Sequence, residues 1–193
     1  MYQEAKQENL LNPKLSKNKF WFALYTKPRH EFKALEFLRS IEEVEPYLPT
    51  IITLKQWSDR KKKVTEPLFK SYIFVHCNEI DRFKALQDPS VVTTVTFEGK
   101  PAKIPAWQIE NLQRLLAEKR EIFVQDIVKV GTKVKITDGP FKDITGIVCQ
   151  SDDKGEMLGI TIDLLRRSVL VKLPADSIVK EIDQVKNETK TFN

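Results

Sequence analysis

Apolar positions along this chain change their period twice. Between residues 19 and 117, short aromatic and β-branched runs alternate with stretches whose apolar residues recur every three or four positions; beyond residue 130 only short alternating runs remain. Phe20 to Tyr25 reads as a buried strand. Pro28 permits a helix start, and Phe32, Leu35, Leu38 and Ile41, beside Ala34 and Phe37, make one apolar face. Thr50 to Leu54 and Leu68 to Val75 read as strands, with Arg60-Lys61-Lys62-Lys63 at the hairpin tip between them. Glu79 to Gln87 is a short helix ending before Pro89, and Val91 to Phe97 is a strand closed by the Glu98-Gly99 turn. Pro105 opens a third helix that carries Ile109, Leu112, Leu115 and Leu116 on one face.

The order β-α-β-β-α-β with a trailing helix predicts an α+β domain of the split ferredoxin-like kind, an antiparallel sheet covered by helices. Residues 118–129 are charged and read as a linker. After them come short strands at 133–137, 144–150, 158–163 and 168–173, with a last one near Ile178. Such a run is expected to close as a small all-β barrel, which removes exposed sheet edges. The predicted organisation is a loosely ordered extension (1–18), a first domain (19–117), the linker (118–129), the barrel (130–182) and a tail (183–193).

Composition narrows the partners. A formal charge of +5 and an isoelectric point near 9.1 favour an acidic partner such as nucleic acid, though the same excess also serves solubility. No stretch approaches the ~20 apolar residues of a membrane span, and residues 1–18 lack the apolar core of a signal peptide, so a cytoplasmic protein without membrane contact is expected. Cys77 and Cys149 share no Cys-x-x-Cys spacing with each other or with His30 and His76, and read as small buried hydrophobes rather than metal ligands. The histidines lack an evident partner, and the sequence contains no nucleophile elbow, phosphate-cradling Gly-rich loop or paired-carboxylate motif. Neither catalysis nor a cofactor is expected.

Three spellings stand in one order. Trp21-Phe22-Ala23-Leu24-Tyr25 is similar to the opening Trp-Tyr strand of the NusG family. Glu66-Pro67-Leu68-Phe69-Lys70-Ser71-Tyr72-Ile73-Phe74-Val75 resembles its Phe-Pro-x-Tyr strand, with Lys70 where Pro is usual. Gly131 to Val148, containing Gly139-Pro140-Phe141 and Gly146, resembles the KOW motif. The chain thus resembles NusG-family transcription elongation factors, which join an NGN domain to a KOW barrel. Leu24-Tyr25-Thr26-Lys27, Leu48 to Leu54, Glu66-Pro67-Leu68-Phe69 and Ala102-Lys103-Ile104-Pro105 look more like the specialised RfaH and UpxY paralogues, operon-specific antiterminators often serving long polysaccharide gene clusters.

The resemblance implies a monomeric factor whose first domain binds the clamp helices of RNA polymerase. The matching residues are Tyr25, Phe69, Tyr72 and Phe74, since aromatic rings bury much apolar area at low entropic cost. Phe69 and Tyr72 are assigned to the partner surface, and Trp21 and Phe22 to the core; alternation is expected to turn Tyr72 and Phe74 to one side and Ile73 and Val75 to the other. Lys27, Arg29, His30 and Lys33 occupy the region that touches the non-template strand in specialised relatives, and also suit the solvated face of a helix. Arg60, Lys61, Lys62 and Lys63 suit upstream DNA, or solubility alone. Phe83-Lys84-Ala85 does not match the His-Thr-Thr element with which one such paralogue reaches across the polymerase cleft. In the barrel, Leu165-Arg166-Arg167 stands where the general factor has Phe-Gly-Arg. That argues against the termination factor Rho and leaves ribosomal protein S10 as a partner through Ile162, Leu164, Leu165, Arg166 and Arg167, with barrel core as the other reading of the aliphatic residues and the preferred one for Ile162. A second reading is a ribosome-associated or RNA-binding protein, with Lys133, Lys135, Arg166 and Arg167 on phosphates. The β-branched residues Ile160, Thr161, Ile162, Val169 and Val171 predict a barrel that keeps its strands.

Overall fold

Strand β1 (Phe20–Thr26) is the spine of the first half of the chain. The computed structural model describes residues 18–57, 60–118, 120–126, 132–151, 155–162, 165, 167–173 and 178–181, and divides into two units, Met1–Ala106 and Trp107–Asn193. In the first, β1 pairs antiparallel with β5 (Tyr72–Cys77), and β2 (Glu45–Tyr47) adds outside β5. The other edge of β1 is shared by β6 (Val91–Thr94) at one end and β9 (Lys103–Ile104) at the other.

One face of this sheet is covered by helices. Phe22, Leu24, Ile73, Val75 and Cys77 point to α1 (Glu31–Arg39), which contributes Ala34, Leu38, Leu35 and Phe37, and to α2 (Glu79–Ala85), which contributes Ala85 with Leu86 just beyond it. Asn78 caps α2 by accepting from the Asp81 N–H at 2.8 Å. Arg82 is nearly buried, yet its charge is satisfied by Glu79 at 2.7 Å and Thr94 at 2.9 Å, with its guanidinium over the Phe83 ring. Burial pushes the Cys77 thiol up to about 12, so it behaves as the expected small hydrophobe. The Cys149 side chain lies outside the described residues.

Three expectations need correcting here. Thr50–Leu54 is not a strand of the main sheet; β3 (Thr50–Gln56) and β4 (Lys61–Pro67) form a separate two-stranded ribbon. The edge beside β5 is instead taken by β2, where Pro46 is tolerated because an edge strand need not donate every N–H. Leu68 to Val75 is broken by a turn, with Ser71 at φ 64°, and the strand begins at Tyr72. Val91 to Phe97 divides into β6 and β7 (Thr96–Phe97); β7 turns back through Glu98 (φ 50°) and Gly99 (φ 75°) into β8 (Lys100–Pro101). Two successive positive φ angles are those of a two-residue I′ hairpin turn.

The second unit holds α3 (Ala106–Ala117) from Trp107 onward, and a six-stranded antiparallel sheet ordered β10-β14-β13-β12-β11-β15. These strands are β10 (Ile122–Asp126), β11 (Thr132–Asp138), β12 (Thr145–Ser151), β13 (Gly155–Ile162), β14 (Arg167–Lys172) and β15 (Ile178–Glu181). The boundary therefore falls before the third helix rather than after it, and Asn111 Nδ2 donates to Thr145 O at 3.0 Å. The expected linker is likewise interrupted by a strand: Ile122-Phe123-Val124 pairs with β14, and Phe123 packs on Leu170 and Met157. Charged neighbours had hidden that apolar run. The expected barrel takes the form of this single sheet, with β10 and β15 at its ends. Val169, Leu170 and Val171 are all buried, so β14 is covered on both faces. The expected extension and tail lie almost wholly outside the described residues.

The turn between β11 and β12 follows its sequence closely. Gly139 (φ 92°) and Asp143 (φ 69°) reverse the chain, the Asp143 N–H donates to Ile136 O at 2.8 Å, and Phe141 is folded under, fully buried. Gly146 allows close backbone approach, because a Cβ there would lie 2.6 Å from Gly159 O. Phe141→Ala is expected to cost about 3–5 kcal/mol of stability, measured by urea unfolding of the full chain. A loss under about 1 kcal/mol, the scale of an exposed substitution, would contradict this packing.

Candidate functional site

The sheet face opposite the helices is aromatic, and strand register is the reason. Antiparallel pairing sets Trp21 against His76, Ala23 against Phe74 and Tyr25 against Tyr72, while β2 sets Tyr47 against Phe74. Directly opposed residues share a face, so one stripe of β1, β5 and β2 carries Trp21, Tyr25, Tyr47, Tyr72, Phe74 and His76, while Phe20 and Phe22 lie on the helical side. His76 stacks on Trp21 at 5.1 Å, Trp21 meets Tyr47 edge-on at 6.4 Å, and Tyr47 stacks on Phe74 at 6.3 Å. Phe69, from the turn before β5, meets Phe74 edge-on at 5.9 Å.

Exposure divides this stripe in two. Phe69 and Phe74 are 4% and 0% exposed and present no ring to a partner, which corrects the expectation that they would. Alternation misled because it gave β5 one free side, whereas Ile73, Phe74 and Val75 are all fully buried. Tyr25 and Tyr72 are different. They form an edge-on pair at 5.4 Å, Tyr25 37% exposed and Tyr72 half-buried. Tyr47 and His76, also half-buried, were not singled out from the sequence; Pro46 made their neighbourhood read as punctuation. Burial holds the Tyr47 phenol above its ordinary range, so the ring stays neutral.

A basic edge adjoins the tyrosine pair. Lys27, Arg29 and Lys33 are exposed and have no ion-pair partner among the described residues; Arg29 sits at φ 65° in the turn ahead of α1. His30 is half-buried, its Nδ1 3.0 Å from Pro28 O. Glu31 fixes this edge to the aromatic face. Its side chain is 4% exposed, and Oε1 accepts the Ser71 N–H at 2.7 Å, while the Thr26 N–H donates to Ser71 O at 2.8 Å. The two tyrosines and the basic turn therefore share one clasp.

The β3–β4 ribbon carries the second basic group. Arg60, Lys61, Lys62 and Lys63 are exposed, and Lys62 lies 5.6 Å from the Trp57 ring centre. Lys55 and Lys62 stand directly opposite, a repulsive pairing. Lys55 instead bonds Glu66, and the bonds from Lys55 and Thr53 hold the Glu66 carboxyl below its ordinary range. Ile52 and Leu54 are 70% and 67% exposed on the face that also holds Lys61 and Lys63. Neither apolar residue was foreseen as exposed.

In the second unit, Ile162 is fully buried and paired with Arg167, so its expected partner role is corrected to a core one. Leu165 is half-buried and Arg167 exposed; Leu164 and Arg166 lie outside the described residues. No group of three His, Cys, Asp or Glu side chains able to hold a metal occurs among the described residues, and no helix among them is long and apolar enough to cross a membrane.

Comparison with known proteins decides the family of the first unit. A family profile described as transcription termination factor nusG matches residues 19–113. These residues form a NusG-family domain. The chain is similar to the transcription termination/antitermination protein NusG of Rickettsia felis, 26% identical over 189 residues that cover 92% of this chain and 98% of that protein. It is also similar to the NusG protein of Rickettsia conorii, 24% identical over 184 residues covering 90% and 96%. Among solved structures, that described as domain interaction in Thermotoga maritima NusG is 22% identical, with a TM-score of 0.45, covering 82% of this chain and 99% of that one. The NusG-family match ends within α3, although most of that helix groups with the second unit.

Glu31→Ala, which removes the clasp under the tyrosine pair, is expected to lower stability by about 1.5–3 kcal/mol in chemical unfolding. Glu31→Gln, able to keep an acceptor oxygen, is expected to retain part of it; equal loss in both would show that the bond to Ser71 contributes nothing.

Proposed function

We propose that this chain is a transcription termination/antitermination factor that docks on the clamp helices of RNA polymerase through Tyr25 and Tyr72. The observation that carries this reading is the tyrosine pair, Tyr25 exposed and Tyr72 half-buried, at the end of an aromatic face whose Trp21, Phe69 and Phe74 are buried, within a NusG-family domain. Tyrosines at the centre of a desolvated contact are typical binding hot spots. The Tyr72 N–H donates to Phe69 O at 3.2 Å, which ties the pair to the buried Phe69–Phe74 contact.

The activity needs no catalytic group. A protein that binds the closed clamp better than the open one shifts the population toward the closed, elongating form, and pausing falls. Lys27, Arg29, His30 and Lys33, tied to the tyrosines through Glu31, suit contact with the non-template strand of the same complex. The ribbon's Arg60, Lys61, Lys62 and Lys63 suit the phosphates of upstream DNA. The likeness of Leu24-Tyr25-Thr26-Lys27, Leu48 to Leu54, Glu66-Pro67-Leu68-Phe69 and Ala102-Lys103-Ile104-Pro105 to the specialised paralogues supports an operon-specific member, and a cytoplasmic site of action goes with that role. Its second unit then engages ribosomal protein S10 rather than Rho, through Leu164, Leu165, Arg166 and Arg167.

The test is co-purification with RNA polymerase, followed by elongation on a template with pause sites. Tyr25→Ala with Tyr72→Ala is expected to weaken binding by about 30-fold or more and to abolish pause suppression. Wild-type protein that fails to bind polymerase but shifts naked RNA would replace this reading with a ribosome-associated or RNA-binding one. Changing Lys61, Lys62 and Lys63 to serine is expected to reduce the salt dependence of DNA affinity by about one unit of log–log slope per lysine that touches a phosphate. An unchanged slope would leave the ribbon cluster as a solubility feature.

A further inference from the structure

An open cleft of about 440 Å³ lies in the second unit between α3 and the β11–β12 hairpin, within the ~300–1,000 Å³ of small-ligand sites. Trp107, Glu110 and Arg114 line it from the helix, and Lys133, Lys135 and Asp143 from the hairpin. Positions 107, 110, 111 and 114 recur at helical spacing on one stripe, and Asn111 fixes that stripe to the hairpin through Thr145 O. Lys133 and Lys135 flank the fully buried side of β11, where Val134 points the other way into the core. The Asn111–Thr145 bond, at 3.0 Å, joins the two walls.

The chemistry of the lining points to one kind of ligand. Trp107 is 47% exposed, leaving a large ring face at the mouth of the cleft. Lys135 is engaged by Asp143 at 3.4 Å, whereas Arg114 and Lys133 have no carboxylate within ion-pair distance among the described residues. A platform for a flat ring beside two unneutralised cations fits a base joined to phosphate. We propose that this cleft holds a nucleotide of a single-stranded nucleic acid, the base stacked on Trp107 and the flanking phosphates on Arg114 and Lys133. Glu110 adds an acceptor for an exocyclic amine on the base. Duplex is disfavoured, because a paired base keeps its faces stacked within the helix. The site is independent of polymerase docking and of the ribbon lysines.

The test uses the full chain with Lys61, Lys62 and Lys63 changed to serine, so that the ribbon does not supply the signal. Fluorescence anisotropy follows a labelled single-stranded RNA of about eight nucleotides. Trp107→Ala is expected to weaken binding about tenfold, and Trp107→Phe much less, since base stacking on an aromatic ring is lost only in the first. Lys133→Glu is expected to weaken binding and lower the salt slope by about one. Equal affinity for DNA of the same sequence would assign the site to any exposed strand, and a preference for RNA would assign it to a transcript; both support the proposal. It is overturned if the parent protein binds no single strand, if Trp107→Ala binds as the parent does, if duplex binds as tightly, or if an acidic peptide displaces the RNA at lower concentration than unlabelled RNA.

Discussion

The ladder between β1 and β5 has no free side over its middle. Phe22, Leu24, Ile73 and Val75 are sealed by α1 and α2, and on the reverse face Ala23 and Phe74 are sealed among aromatic rings. A strand buried twice must be apolar at every position, which is why Ile73-Phe74-Val75 reads as a continuous run. It also restricts where a partner can touch. Where the ladder runs out, Tyr25 and Tyr72 form an edge-on pair that reaches water, while Tyr47 and His76 on the same face are half-buried. The clasp of Glu31 on Ser71 then places the basic turn at that same end.

Much of the architecture was legible. The aromatic opening strand, the three helices and the Gly139-Pro140-Phe141 turn are local patterns, each written in a few adjacent residues. Pairing partners were not. Thr50 to Leu54 carries ordinary strand propensity, and nothing local says that its mate is β4 alone or that Glu45–Tyr47 takes the sheet edge. Similarly, Ile122-Phe123-Val124 reads as part of a charged connector because its partners Val171, Leu170 and Val169 in β14 lie far along the chain. Register between distant strands is set by packing, which a single sequence does not display.

The site was legible as a set of residue types and not as a surface. Tyr25, Phe69, Tyr72 and Phe74 do gather on one face, yet the sequence could not divide them into two open rings and two buried ones. That division depends on a turn at Ser71 and on Tyr47 arriving from β2. The lysines of the ribbon were plain to see; the exposed Ile52 and Leu54 beside them were not, because β-branched and aliphatic residues ordinarily signal a buried face. Trp107 was assigned no role, since a lone tryptophan on a helix gives no sign of the cleft that tertiary packing builds beside it.

The central claim is that the tyrosine end of the sheet is the docking surface for polymerase. Its most direct test is a photo-crosslinking amino acid placed at Tyr25 or, as control, at Phe83 on the helical side; their exposures, 37% and 38%, are matched, so accessibility does not distinguish them. The account predicts crosslinks from position 25 to the clamp helices and none to that element from position 83. Clamp crosslinks from position 83 alone would contradict it.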